Sequence, residues 1–120
     1  MVFVDGGLNS VAADFASDTF FLGFSTDTAF SASSGDTSLS GEVGSRISCS
    51  VSRSSNEVTI TGTRSGTSVV DTVNGDTLYG FGVFDSAVGG TLFVSGDLPA
   101  ILHTVNYDLD FDEVVLFDRG

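Results

Sequence analysis

Two stretches of this chain alternate so strictly that little except a β-sheet can use them. In "RISCSVSR" (46–53), Ile47, Cys49 and Val51 fall on one side and Ser48, Ser50 and Ser52 on the other. "EVTITGT" (57–63) repeats the pattern with Val58 and Ile60. A strand sends successive side chains to opposite faces, so each stretch buries one face and wets the other. "SSN" (54–56) between them reads as a hairpin turn.

Further strands are expected at "TFFLGF" (19–24), "TSVVDTV" (67–73), "TLYGFGVFD" (77–85), "TLFVS" (91–95) and "ILHTVNYDLDFD" (101–112). They are punctuated by "NGD" (74–76), "SAVGG" (86–90) and the break at Asp97, Leu98 and Pro99. Gly80 and Gly82 leave room inside one strand for a neighbouring backbone or a large side chain. "SASSGDTSLSGEVGS" (31–45) reads as one long loop. Helical spacing occurs in "GLNSVAADFA" (7–16), through Leu8, Val11, Ala12 and Phe15, with Asn9 or Ser10 as the cap.

The expectation is an all-β, antiparallel, β-sandwich-like single domain over residues 1–112, with about seven or eight strands. It includes a short N-terminal helix at 7–16 and an apolar C-terminal tail at 113–120 that docks on a neighbour. At 120 residues the chain suits one domain and is too short for two. It can bury roughly two-thirds of its unfolded surface, so folding needs no metal or disulfide.

Sixteen acids face four bases, for a net charge of -12, and every base is Arg. Such a surface repels phosphate backbones and anionic membranes, so nucleic acid and membrane are excluded as partners. No apolar run approaches the ~20 residues of a membrane span, and no secretory leader is legible. The lack of Lys and the excess of Asp over Glu match proteins adapted to molar salt, which screens acid–acid repulsion.

The chemistry-bearing residues do not form a site. The one His, His103, and the one Cys, Cys49, both fall on apolar strand faces and read as core residues. No G-x-S-x-G occurs, and "GFG" (80–82) lacks the third glycine of a dinucleotide loop. The expectation is a non-enzyme with no cofactor. In "DLDFDE" (108–113), Asp108, Asp110 and Asp112 alternate with Leu109 and Phe111, so they read as the wet face of a strand. An EF-hand loop starting at Asp108 needs Gly and Glu where Glu113 and Arg119 stand. A cation site on those three aspartates is the lesser alternative.

Two stretches resemble a family of short, β-rich virion structural proteins, associated with the heads and tails of tailed phages and haloarchaeal tailed viruses. In "FLGFSTDTAFSASSGDTSLSGEVGSR" (21–46), Asp36, Thr37, Leu39, Glu42, Val43 and Arg46 fall at the family's D-T-x-L and E-[VL] positions and its basic position. In "GFGVFDSAVGGTLF" (80–93), Gly82, Phe84, Asp85, Gly89, Gly90, Thr91 and Leu92 match a G-L-F-D, a short turn and G-G-T-L-F. "GGLNSVAADF" (6–15) resembles the family's leading helix, and the last strand carries Asp where the family usually carries Thr. The family often has Glu where this chain has Gly80.

The resemblance implies a subunit of a virion, made in the host cytoplasm. It would be a homo-oligomeric capsid decoration, turret or fibre-base protein of a halophilic tailed virus. Its partners would be itself and other virion proteins, with a host surface receptor as a further candidate. The alternatives are a tail or baseplate component, or a β-sandwich module binding a host-surface carbohydrate. Phe3, Val4, Phe30, Val114, Val115, Leu116 and Phe117 lie at ends and loop edges, so they are the candidate interface residues.

Overall fold

The computed structural model describes residues 19–33, 35–54 and 57–116. Among them lie six strands: β1 (Phe20–Ser25), β2 (Glu42–Ser54), β3 (Glu57–Arg64), β4 (Asp76–Phe84), β5 (Leu92–His103) and β6 (Leu109–Leu116). All five pairings are antiparallel, in the order β5-β4-β1-β2-β3-β6. The fold is all-β, as expected. The helix expected at 7–16 lies outside the described residues. The only helical turn among the described residues is the 3-10 segment Gly66–Ser68.

The sheet cannot be flat. Its two edges, β5 and β6, are joined by residues 104–108 alone. Six flat strands would put the edges about 24 Å apart. Five residues fully extended reach roughly 20 Å, and these are folded into a turn in which the Tyr107 N–H bonds Thr104 O at 3.5 Å. The sheet therefore curls into a nearly closed, barrel-like form. Phe111 of β6 reaches across the interior, its ring 4.8 Å from Phe81 of β4 and 5.9 Å from Phe24 of β1. With Phe20, Leu22, Val58, Ile60, Leu78 and Val83 these rings form one buried core.

Bulges do much of the bending. Between Leu22↔Ile47 and Phe24↔Val43, four residue steps of β2 oppose two of β1, with Gly44 at φ +68°. In β5, the steps from Asp97 to Ile101 oppose Gly80 to Leu78, with Ala100 at φ 54°. Pro99 sits inside that bulge on an edge strand, where its missing N–H breaks no central ladder. The expected break at Asp97–Pro99 is thus a kink in one strand.

Two other expectations change. Residues 67–73 form no strand; they belong to the crossover from β3 to β4. Asp71 captures the N–H groups of Val73 and Asn74 at 3.0 Å each, and its carbonyl accepts the Gly75 N–H at 2.7 Å. Those local bonds outcompete a ladder, and Val70 and Val73 are exposed. The expected single strand 101–112 is instead the end of β5, a turn and the start of β6. Residues 113–116 continue β6 against β3, from Ile60↔Glu113 to Glu57↔Leu116, instead of leaving as a tail.

Candidate functional site

The two ends of the barrel differ, and the difference locates the candidate interface. At one end the finish of β3, the start of β4, the finish of β5 and the start of β6 converge on Arg64. Alternation along Val58, Ile60, Gly62 and Arg64 carries this side chain inward, and it is 1% exposed. Its Nη2 donates to Asp76 Oδ2 at 2.8 Å and its Nη1 lies 2.6 Å from His103 Nδ1. Val70 N–H also donates to Asp76 Oδ2, at 3.1 Å. His103 Nε2 lies 3.0 Å from Tyr107 O, a carbonyl that can only accept. The neutral tautomer with its proton on Nε2 satisfies both contacts. The cluster is saturated internally, which makes it a structural closure rather than a reactive site.

A second arginine pins the outer face. From the segment between β1 and β2, the Phe30 ring fills the space over Gly80 of β4, and Leu39 closes over Gly82 with Leu92. Arg46 stacks on Phe84, 3.5 Å from Cζ to ring centre. It donates to Glu42 Oε2 at 2.9 Å, to Thr37 O at 2.9 Å, and to Ser86 O and Gly89 O at 3.0 and 2.6 Å. Asp85 Oδ1 accepts the Thr91 N–H at 2.8 Å, and Asp36 O accepts the Leu92 N–H at 3.3 Å. The residues that carry the virion-family resemblance, within 36–46 and 82–92, thus meet in one interlock built of turn and packing signals.

The expected interface residues separate. Phe3, Val4 and Phe117 lie outside the described residues. Phe30, proposed as an exposed contact, packs on Gly80 because glycine leaves its ring that space. Val115 and Leu116 hold ladder positions opposite Val58 and Glu57, and Val114 is 48% exposed. These last three stand at the open end. β1 stops at Phe20, paired with Cys49, whereas β2 runs on to Ser54. Among the described residues, β2, β3 and β6 alone continue beyond that row, as a three-stranded ribbon. Its rows are Ser50–Thr61–Asp112 through Ser54–Glu57–Leu116. Among the described residues, neither the β2 edge at 50–54 nor the outer edge of β6 has a strand partner.

The aspartates of "DLDFDE" have local uses. Asp108 Oδ1 accepts the Gly66 N–H at 3.0 Å, and Asp110 Oδ1 accepts the Thr63 hydroxyl at 2.9 Å. Asp112 is exposed. Among the described residues no three His, Cys, Asp or Glu groups are placed to hold a metal ion. Cys49 is half-buried against the core, and burial pushes its thiol up to about 11, so it stays protonated and unreactive at neutral pH. Sequence reasoning missed Arg64 and Asp76, although the alternation that places Val58 and Ile60 inward extends to Arg64. No known protein family, curated protein or solved structure matches the chain.

Proposed function

We propose that this protein is a non-enzymatic structural subunit of a virus particle, a homo-oligomeric capsid decoration, turret or fibre-base protein of a halophilic tailed virus. The observation that carries the assembly role is the β2–β3–β6 ribbon. It projects past β1, offers two strand edges without partners among the described residues, and exposes Val114. Unpaired strand edges are templates for another chain. The virion assignment rests on the resemblance of residues 21–46 and 80–93, and their convergence on Arg46 supports reading them as one structural unit. A net charge of -12 opposes association in dilute buffer, and molar salt shortens the Debye length to about 3 Å.

The test is the mass of the purified protein at about 0.1 M and about 1 M KCl, with protein mass spectrometry of virus particles from cultures that carry the gene. An oligomer that strengthens with salt, and the chain's presence in washed particles, are expected. A monomer at every salt concentration overturns the assembly role, and absence from the particles overturns the virion role.

A further inference from the structure

The closed end is saturated within and apolar outside. Two turns form its outer surface, residues 69–75 ahead of β4 and residues 104–108 between β5 and β6. They stand side by side. A Cβ on Gly75 would lie 2.4 Å from His103 O and 2.9 Å from Thr104 Cγ2, so glycine there lets the two turns touch. The Tyr107 hydroxyl donates to Leu102 O, and the Tyr107 ring lies 5.3 Å from that of His103. Asp71 holds the first turn by accepting the Val73 and Asn74 N–H groups, and Asp108 ties the second to Gly66. On this held backbone apolar side chains face outward. Val73 is 87% exposed, and Val70, Leu102, Val105 and Tyr107 are between 40% and 67% exposed. Scattered apolar residues need no explanation, but five gathered at one end mark a contact surface.

The charges say what covers it. Residues 69–75 and 102–108 carry two acids, Asp71 and Asp108, and neither Lys nor Arg. Both acids already accept backbone N–H groups of this end. A cationic partner would be drawn instead to Asp110, Asp112 and Glu113, three acids within four residues of β6. A sugar needs hydrogen-bonding groups, and the one phenol of this face is committed to Leu102 O. The face offers apolar surface, one tyrosine and little charge, the composition of an interface centre. For a chain of net charge -12, it is a place where a second copy meets little repulsion.

Resting on the assembly role proposed above, we infer that the closed end is a joint between two copies of this chain, closed end to closed end. Val70, Val73, Leu102, Val105 and Tyr107 of each copy form it. A patch that meets its own copy makes an isologous contact, complete at two copies. Larger assemblies then continue from the ribbon at the open end.

The experiment compares two equally exposed valines. Val88, in the turn between β4 and β5 at the other end of that hairpin, is also 87% exposed. Val73→Asp and Val88→Asp therefore add the same charge with little effect on folding, which thermal midpoints verify. Light scattering reads mass against protein concentration in about 1 M KCl. Val73→Asp is expected to move the association midpoint to at least about ten-fold higher concentration, because an acid enters the joint without a partner. Val88→Asp is expected to leave the midpoint in place. The chain holds no Trp, so Val73→Trp is a local reporter whose emission should move to shorter wavelength as mass rises. Val73→Asp associating as the native protein does, Val88→Asp weakening association equally, or Val73→Trp emission that stays constant as mass rises overturns this joint while the assembly role stands. A native protein that is monomeric at every salt concentration overturns both.

Discussion

The closed and open ends of this barrel are built from the same strands, β3 and β6, yet they obey different rules. At the closed end, Arg64, Asp76 and His103 are 1%, 6% and 0% exposed and satisfy one another. At the open end, the strands run on with edges that have no strand partner among the described residues, a row of hydroxyls outward and Val114 half-exposed. The lesson concerns where a small, acidic domain places its scarce cations. Two of its four arginines, Arg46 and Arg64, are used up in saturated internal networks.

Breaking the closed end should give the largest effect on stability. Arg64→Leu leaves the Asp76 carboxylate buried without its cation. Removing one partner of a buried pair costs about 3–5 kcal/mol. The thermal midpoint should fall by on the order of 10 °C or more. Urea unfolding of Arg64→Leu beside the double variant R64L/D76L checks the cause. The double variant should recover most of the loss, because no orphan charge remains. Equal losses in both would mean that packing of the Arg64 stem, and not the charge pair, closes this end.

The outer strap should respond less strongly. Gly80→Val puts a side chain where the Phe30 ring lies. Overpacking of this kind costs about 1–3 kcal/mol. Chemical denaturation should show that Phe30→Ala in the same chain offsets part of that cost, since the two changes share one space. Strict additivity would show that Phe30 does not depend on the room at Gly80.

Much of this contrast was legible in the sequence, and the illegible part has a physical reason. Alternation located β2 and β3, and Gly80 and Gly82 announced that something bulky would lie over β4. Local chemistry hid the rest. Val69, Val70 and Val73 suggest a strand, but Asp71 holds its own turn. Asp97–Pro99 suggests an end, but an edge strand absorbs Pro in a bulge. The closure of the sheet depends on Arg64 meeting partners 12 and 39 residues away, and no short-range pattern encodes that. The candidate interface was half visible. The apolar run at Val114–Leu116 stood out, but its place as the free edge of a ribbon follows only from where β1 stops.

At the open end, Val114→Asp separates fold from assembly. The residue is half-exposed opposite Thr59, so the monomer's stability should change by no more than about 0.5 kcal/mol. The mass at high salt should nonetheless fall, since a further acid enters the β6 edge. A stability loss near that of Arg64→Leu would place Val114 in the domain's own core.

The smallest effect concerns two surface aspartates that hold turns. Asp27 lies below the usual carboxylate range because the Ser40 hydroxyl and then the Ala29 N–H donate to it. Asp71 is lowered by the Asn74 N–H and then the Val73 N–H. In both, the folded state favours the ionised form. Each contribution is therefore fully present above the unfolded carboxylate value of about 3.9. It fades as pH falls through the lower folded value. Asp27→Asn and Asp71→Asn keep an acceptor oxygen but lose the charge. Each variant should be slightly less stable than the native protein at neutral pH. The gap should close as pH drops below about 4. Thermal melts between neutral pH and about pH 2 in high salt would measure it. The closed end should dominate at every pH, with Arg64→Leu showing a much larger deficit at neutral pH than either asparagine variant. A gap for Asp71→Asn that widens on acidification would reverse the sign, showing that the turn favours the protonated carboxyl.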